Sequence, residues 1–136
     1  LVGSEMCIRD RGKGTSDTKS LHIYFKPIFV PKNDDRCYIL SEFGGYAIKT
    51  EGHMYSPNNQ FGYRIYKKPE AIAAAIKKLY ETKIVPKIDK GLSACIYTEV
   101  SDVEQEMNGL VTYDRKVIKV PVDMMRDINA QLVIKD

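Results

Sequence analysis

The sequence predicts an α/β fold built on a parallel sheet. Two runs, at residues 37–40 and 92–98, are apolar at successive positions, as strands buried on both faces are. Between them lies a segment with the period of an amphipathic helix, which begins at Pro69. Strands that alternate with helices are typical of βαβ units. No glycine-rich turn directly follows a strand, which argues against a dinucleotide-binding or P-loop fold.

The elements follow the order strand, strand, loop, helix, strand, loop, helix. Residues 12–19 are polar and contain glycine, which predicts a loop, and residues 20–25 form a short β-rich run. This first strand joins the second through a connection that holds Pro27 and Pro31. Residues 44–67 show no helical period and are rich in Gly, Asn, Tyr and His. They predict a long loop, and loops of such length are usually functional.

The two helices are predicted from proline starts and apolar spacing. Pro69 suits a first helical turn, and the apolar residues after it recur at i, i+3 and i+4: Ile72, Ala75, Ile76, Leu79 and Tyr80. Pro86 should kink or end this helix, and Gly91 should end what remains. The connection 99–119 contains the turn signal Asn108-Gly109. The last helix should open at Pro121 and bury four residues: Met124, Met125, Ile128 and Leu132.

Composition and charge exclude several classes of partner. The formal net charge is +3, and the Lys and Arg residues are scattered among acids, so no nucleic-acid partner is predicted. No apolar run approaches the roughly 20 residues of a membrane span, and charges interrupt any signal-peptide core, so no membrane partner is predicted either. The expected compartment is the cytoplasm. Cys37 and Cys95 lack metal-ligand spacing and are expected to be buried free thiols, and no metal or cofactor is predicted.

Residues 1–11 differ in kind from the rest of the chain. The run Leu-Val-Gly-Ser-Glu-Met-Cys-Ile-Arg-Asp-Arg resembles the in-frame translation of a transposase adapter used in preparing sequencing libraries. We expect this segment to be an artefact without ordered structure, and we exclude it from the interpretation of the fold. The natural protein is then expected to extend further upstream.

The most informative stretch is the end of the second strand. The apolar run leads into Ser41 and Glu42, and Gly44 and Gly45 then allow the backbone to turn away. A carboxylate at the C-terminal tip of a barrel strand points into the site that barrel enzymes use for catalysis. The alternative is an exposed glutamate beside a glycine turn, and the spacing alone does not separate the two.

Four motifs together resemble one enzyme family. Ser41-Glu42-Phe43-Gly44-Gly45 resembles the strand-7 nucleophile motif of glycoside hydrolase family 2, the group of β-galactosidases and β-glucuronidases. Residues 17–24 resemble the strand 6 of that family, and residues 91–98 resemble its strand 8. Residues 108–115 match the family's Gly-x-x-x-x-Asp-Arg pattern before the last helix. The resemblance implies that residues 12–136 are the C-terminal portion of a (β/α)8 TIM barrel, about strands 6–8 with helices 7 and 8.

The resemblance also implies a retaining mechanism on a β-linked carbohydrate substrate. Glu42 would be the catalytic nucleophile. The acid/base glutamate of the family lies in an Asn-Glu pair at the end of strand 4, and this sequence contains no such pair. We therefore expect the rest of the barrel and the upstream β-sandwich domains to be missing, and the chain alone to be inactive.

Four further residues are candidates for the site. The resemblance gives Tyr24 a catalytic role, a hydrogen bond to Glu42, against the alternative of a strand-end tyrosine with a hydrated hydroxyl. His22 shares a strand face with Tyr24 and either binds a sugar hydroxyl or serves the scaffold. Tyr97 stands where many relatives place a tryptophan under the sugar ring. Glu99 is either an acceptor for a sugar hydroxyl or a solvated loop acid.

Two readings from other classes remain open. One is a non-catalytic carbohydrate-binding relative on the same fold, and the other is a small, complete α/β regulatory module.

Overall fold

The computed structural model describes residues 17–32 and 35–134, and five strands lie within them. In chain order these are β1 (Thr18–Ile23), β2 (Cys37–Gly44), β3 (Tyr46–Ile48), β4 (Arg64–Tyr66) and β5 (Leu92–Thr98). Strands β1, β2 and β5 form a parallel sheet in the order β1-β2-β5, and β3 pairs with β4 in a separate parallel pair. The predicted parallel α/β architecture is confirmed at this level. The expectations for residues 1–16 lie outside the described residues.

Helical segments follow β4 and close the chain. Helix α1 (Pro69–Leu79) continues through a π-helical turn (Tyr80–Ile84) into the short helix α2 (Val85–Ile88), and helix α3 covers Val122–Asn129. Both predicted helix starts, at Pro69 and after Pro121, are confirmed. Among the described residues, no helix combines the length and apolar character needed to cross a membrane.

Pro86 does not end the helix. It lies inside α2, and the helical ladder widens one turn earlier, where the backbone N–H of Val85 reaches the carbonyl of Tyr80. Proline has no N–H to donate, and its ring crowds the carbonyl one turn back, so the chain accommodates it by a π-helical turn. Gly91 then ends the helix with φ of 101°, as predicted.

The core lies between the sheet and helix α1. Leu40 and Phe43 of β2 are fully buried there, against Ile76 and Tyr80 from the helical side. The ring of Phe43 packs edge-on against Tyr80, with centroids 5.3 Å apart. Burial of each such side chain contributes roughly 1.5–3 kcal/mol relative to exposure. This packing fixes which face of β2 is internal and therefore which face carries the side chains of the site.

Three expectations about local structure are corrected. Strand β2 extends beyond residue 40 to Gly44, so that Glu42 lies within the strand rather than after it. The segment 44–67 contains strands at both ends, because Gly44 and Gly45 adopt φ of 99° and 65° and redirect the chain into β3. Cys37 is exposed at the start of β2 and Cys95 is half-buried, so neither is the fully buried thiol that was predicted.

Candidate active site

The candidate site lies where the carboxyl ends of the three parallel strands meet. The strand pairing places His22 opposite Glu42 and Gly44 opposite Thr98. Carboxyl ends of parallel strands lie at one edge of a sheet, which is where α/β proteins place ligands. The fold therefore brings together residues from three segments that lie far apart along the chain.

Glu42 is held by His22 of strand β1 and by Tyr24, which directly follows that strand. The Tyr24 hydroxyl donates to Glu42 Oε2 at 3.0 Å, and His22 Nδ1 lies 3.2 Å from the same oxygen. The hydrogen bond predicted between Tyr24 and Glu42 is therefore present. Within the described part of the chain, no hydrogen bond reaches Oε1 of Glu42. The carboxylate thus has one oxygen fixed by the protein and one oxygen free to react or to bind.

Tyr24 connects all three strands. Its hydroxyl also lies 3.0 Å from Thr98 Oγ1, at the end of β5. A phenol has one proton, so when Tyr24 donates to Glu42, the Thr98 hydroxyl can donate to Tyr24 in turn. Burial raises the pKa of Tyr24 above its usual value, the hydrogen bond with Thr98 opposes this, and the negative charge of Glu42 adds to it. Tyr24 therefore stays protonated and remains a donor. Sequence reasoning missed Thr98, which no residue pattern singles out.

An aromatic surface extends from Tyr24 towards solvent. The ring of Tyr63 stacks on Tyr24 with centroids 4.7 Å apart and planes within 15°. Phe61 meets Tyr63 edge-on at 5.1 Å. Both of these outer rings are exposed. The segment between β3 and β4 therefore supplies a wall beside Glu42, and flat apolar faces of this kind suit the C–H faces of sugars as well as aromatic groups.

Glu99 follows β5 directly and is partly buried. Burial, with the nearby carboxylates of Glu106 and Asp102, raises the pKa of Glu99 to about 7, and Lys119 opposes the shift. Its Oε1 is buried and accepts no hydrogen bond from the described residues. A neutral carboxylic acid tolerates such a position better than a carboxylate does. Glu99 can therefore act as a hydrogen-bond donor near neutral pH.

A buried ion pair lies behind Glu99. Lys119 Nζ contacts Asp102 Oδ1, and both side chains are at most 4% exposed. The same ammonium donates to the Met107 carbonyl at 3.0 Å, and the Gly109 amide donates to Asp102 at 2.8 Å. These bonds join Lys119, at the end of the connection 99–119, to Asp102 and Met107 within it. A lysine inside the apolar run 117–120 was a signal in the sequence that the prediction did not use.

Tyr97 does not lie with the other candidates. Its ring is buried in the core, edge-on to Phe43 at 5.6 Å and beside Tyr80 at 6.3 Å. Thr98, the next residue, contacts Tyr24, and adjacent residues of a strand point to opposite faces. The position of Tyr97 therefore does not support the predicted contact with a sugar ring, and we assign this residue to the core.

The loop after β3 is tied to the turn before α3. His53 Nδ1 lies 2.9 Å from Asp114 Oδ2, and Thr112 Oγ1 donates to the other carboxylate oxygen at 2.8 Å. These two hydrogen bonds, first that of His53 and then that of Thr112, lower the pKa of Asp114 to about 2. Asp114 belongs to the Asp-Arg motif that the sequence singled out, and its observed partners are structural.

The described residues contain no group of three or more His, Cys, Asp or Glu side chains that could hold a metal ion. The polar groups at the site include one carboxylate oxygen of Glu42 without a protein hydrogen bond, a tyrosine donor, an imidazole and an acid with a raised pKa. Neither a scan against protein-family models nor a search of curated proteins found a match to this chain.

Proposed function

We propose that this chain is the C-terminal part of the catalytic barrel of a retaining β-glycosidase similar to glycoside hydrolase family 2, with Glu42 as the nucleophile. The observation that carries the proposal is the arrangement of the Glu42 carboxylate at the strand ends. Tyr24 and His22 both bind Oε2, so Oε1 is held in a defined direction for attack. Pre-positioning of this kind is a large part of how enzymes lower barriers.

The reaction proceeds in two displacements. Glu42 Oε1 forms a bond to the anomeric carbon as the bond from that carbon to the leaving oxygen breaks, and a general acid protonates the leaving oxygen. Water then attacks the anomeric carbon of the glycosyl ester, loses its proton to the same acid/base group and releases Glu42. In retaining enzymes the two carboxyl groups lie about 5–5.5 Å apart. The resemblance assigns the acid/base to a segment upstream of this chain.

Tyr24 and Glu99 have supporting roles in this scheme. The Tyr24 hydroxyl stabilises negative charge on Glu42 before attack and again as the carboxylate departs in the second step. Glu99 binds a sugar hydroxyl, with its pKa of about 7 allowing it to donate as well as accept. The exposed rings of Phe61 and Tyr63 provide the adjoining apolar surface.

The decisive experiment is covalent trapping in the full-length enzyme. A 2-deoxy-2-fluoro glycosyl fluoride slows the second displacement, so a glycosyl ester should accumulate, and peptide mass spectrometry should locate it on Glu42. Glu42→Gln should abolish both labelling and turnover of an aryl β-glycoside. Glu104→Gln, which makes the same change at an exposed position of the neighbouring connection, is the matched control and should leave both intact.

Two outcomes would contradict the assignment. Labelling of Glu99 would identify Glu99, directly after β5, as the nucleophile in place of Glu42. Saturable binding of the sugar without any labelled ester or turnover would support the non-catalytic carbohydrate-binding relative instead. The complete regulatory module would show neither binding nor labelling.

A further inference from the structure

A cavity of about 480 Å³ lies on the helical side of the sheet, behind Gly44. One wall is the connection after β1, which contributes Phe25 and Lys26. The opposite wall is the end of helix α1 with its π-helical turn, and the small β3–β4 sheet closes the third side through Tyr46. A volume of several hundred cubic ångströms is the usual size of a small-molecule site.

The charged side chains around this cavity are all cationic. Lys26, Arg64, Lys78 and Lys83 line it, and no carboxylate does. Within the described residues, none of these four cations forms an ion pair, whereas the adjacent Lys77 pairs with Glu81 at 3.8 Å outside the cavity. All four side chains are exposed. Four positive charges grouped around one space, with no carboxylate among the lining residues, still raise the local concentration of anions there.

Arg64 is already oriented in this space. Its guanidinium carbon lies 4.7 Å from the centre of the Phe25 ring, and that ring stacks on Tyr46 at 5.7 Å. A cation over an aromatic face is held in position, so less entropy is lost when the guanidinium binds a ligand. The planar guanidinium matches the oxygens of phosphate or carboxylate with two parallel hydrogen bonds. Ile28 and Tyr46 add a buried apolar floor.

Two irregularities of the backbone face the same cavity. Phe25 adopts φ of 56°, a left-handed conformation that a bulky residue rarely takes. Thr82 and Lys83 belong to the π-helical turn, and they line the opposite wall. Strained residues and π-helical turns concentrate at ligand sites, where the surrounding packing holds them. The grouped charges and the guanidinium held over Phe25 thus point to the same cavity, and the left-handed residue Phe25 lies in its wall.

We propose that this cavity binds a small organic phosphate monoester, with the phosphate between Arg64 and the three lysines and the apolar body against Tyr46 and Ile28. A phosphate monoester carries about −1.5 to −2 charges at neutral pH and three acceptor oxygens, which matches four cations better than the single charge of a carboxylate does. The site is separate from Glu42, and the proposal does not depend on glycosidase activity. Phe25, whose ring centroid lies 6.4 Å from that of Tyr24, connects the two sites physically.

The test uses phenyl phosphate as the probe, titrated calorimetrically into the protein that carries this chain. Saturable binding is expected, tighter than that of inorganic phosphate, which lacks the apolar body, and tighter than that of phenol, which lacks the charge. Arg64→Gln should weaken phenyl phosphate binding by about tenfold or more, the effect of one lost hydrogen bond between charged groups. Lys67→Gln removes the same charge from an exposed position outside the cavity and should leave binding unchanged.

Three results would overturn the proposal: no saturable binding of phenyl phosphate, equal binding of inorganic phosphate, or equal weakening by Lys67→Gln and Arg64→Gln. The last result would mean that the probe responds only to overall charge. Arg64→Lys keeps the charge but loses the planar fork, so it provides the answer if Arg64→Gln does not fold. The Arg64→Lys variant should bind phenyl phosphate more weakly than the wild type does. Its affinity for phenyl phosphate should still exceed the affinity of the wild type for inorganic phosphate.

Discussion

The hydroxyl of Tyr24 lies 3.0 Å from a carboxylate oxygen of Glu42, across the junction between strands β1 and β2. The same hydroxyl lies 3.0 Å from Thr98 on strand β5. One phenol therefore links the ends of all three strands of the sheet. Its loss should affect the reactivity of Glu42 more than the stability of the fold, because the ring remains stacked on Tyr63 when only the hydroxyl is removed.

If the proposed function holds, Tyr24→Phe should lower kcat of the full-length protein by about 10–100-fold, since a hydrogen bond to a charged group contributes roughly 1.5–3 kcal/mol. Steady-state kinetics on an aryl β-glycoside measures this. Tyr38→Phe is the matched control, because Tyr38 is buried and its hydroxyl has no hydrogen-bond partner among the described residues. An equal loss of kcat in both variants would show that the effect comes from general repacking and not from the bond to Glu42.

Glu99→Gln should change how stability depends on pH. In the folded protein the pKa of Glu99 is raised from 4.5 to about 7, so the folded state holds a proton that the unfolded chain releases. The bound proton therefore contributes stability to the folded state that is fully present below pH 4.5 and is lost as the pH rises through about 7. Thermal unfolding should therefore show the glutamine variant gaining stability relative to the wild type as the pH rises across this range. A constant difference in Tm between the two proteins across the range would mean that Glu99 titrates normally.

Lys119→Met should lower the free energy of unfolding by about 3–5 kcal/mol, because it leaves Asp102 buried without its counter-charge. Arg126→Met removes one partner of the exposed pair with Asp123, at 2.9 Å, and should cost at most about 1 kcal/mol. Urea unfolding of both variants measures the contrast. Equal losses of unfolding free energy in the two variants would indicate that Lys119 is hydrated in solution and is not enclosed by the connection 99–119.

Gly44→Ala should destabilise the protein more than Gly52→Ala. Both glycines have positive φ, so alanine costs about 1–2 kcal/mol of backbone strain at either position. At Gly44 the added Cβ would also lie 2.7 Å from Cδ2 of Tyr97, whereas at Gly52 it meets nothing within 4 Å. Overpacking of this kind adds about 1–3 kcal/mol. Chemical denaturation that ranks the two variants equally would show that the Tyr97 ring can move aside.

The amino-acid sequence alone predicted the long helix and strands and some of the residues of the candidate site. The spacing of apolar residues after Pro69 and the continuous run Leu92–Thr98 predicted a helix and a strand that are both present. The helix signal works because a long helix places its apolar side chains at a fixed period, and the strand signal works because a continuous apolar run is typical of strands in a parallel sheet. Glu42 was singled out as a carboxylate near the end of an apolar strand, before Gly44 and Gly45, and the resemblance to the family added Tyr24 as its partner.

Tertiary structure alone decided the remaining parts. Strands β3 and β4 have three residues each, too few to show any period. Thr98 became part of the site, and Tyr97 part of the core, because helix α1 covers one face of the sheet and the pairing of β2 with β5 is irregular between Leu40 and Phe43. Adjacent side chains of a strand point to opposite faces of the sheet, but which face is internal depends on the elements that pack against the sheet. The partners of Lys119 are fixed for the same reason, since only the folded connection brings Asp102 and the Met107 carbonyl to its ammonium.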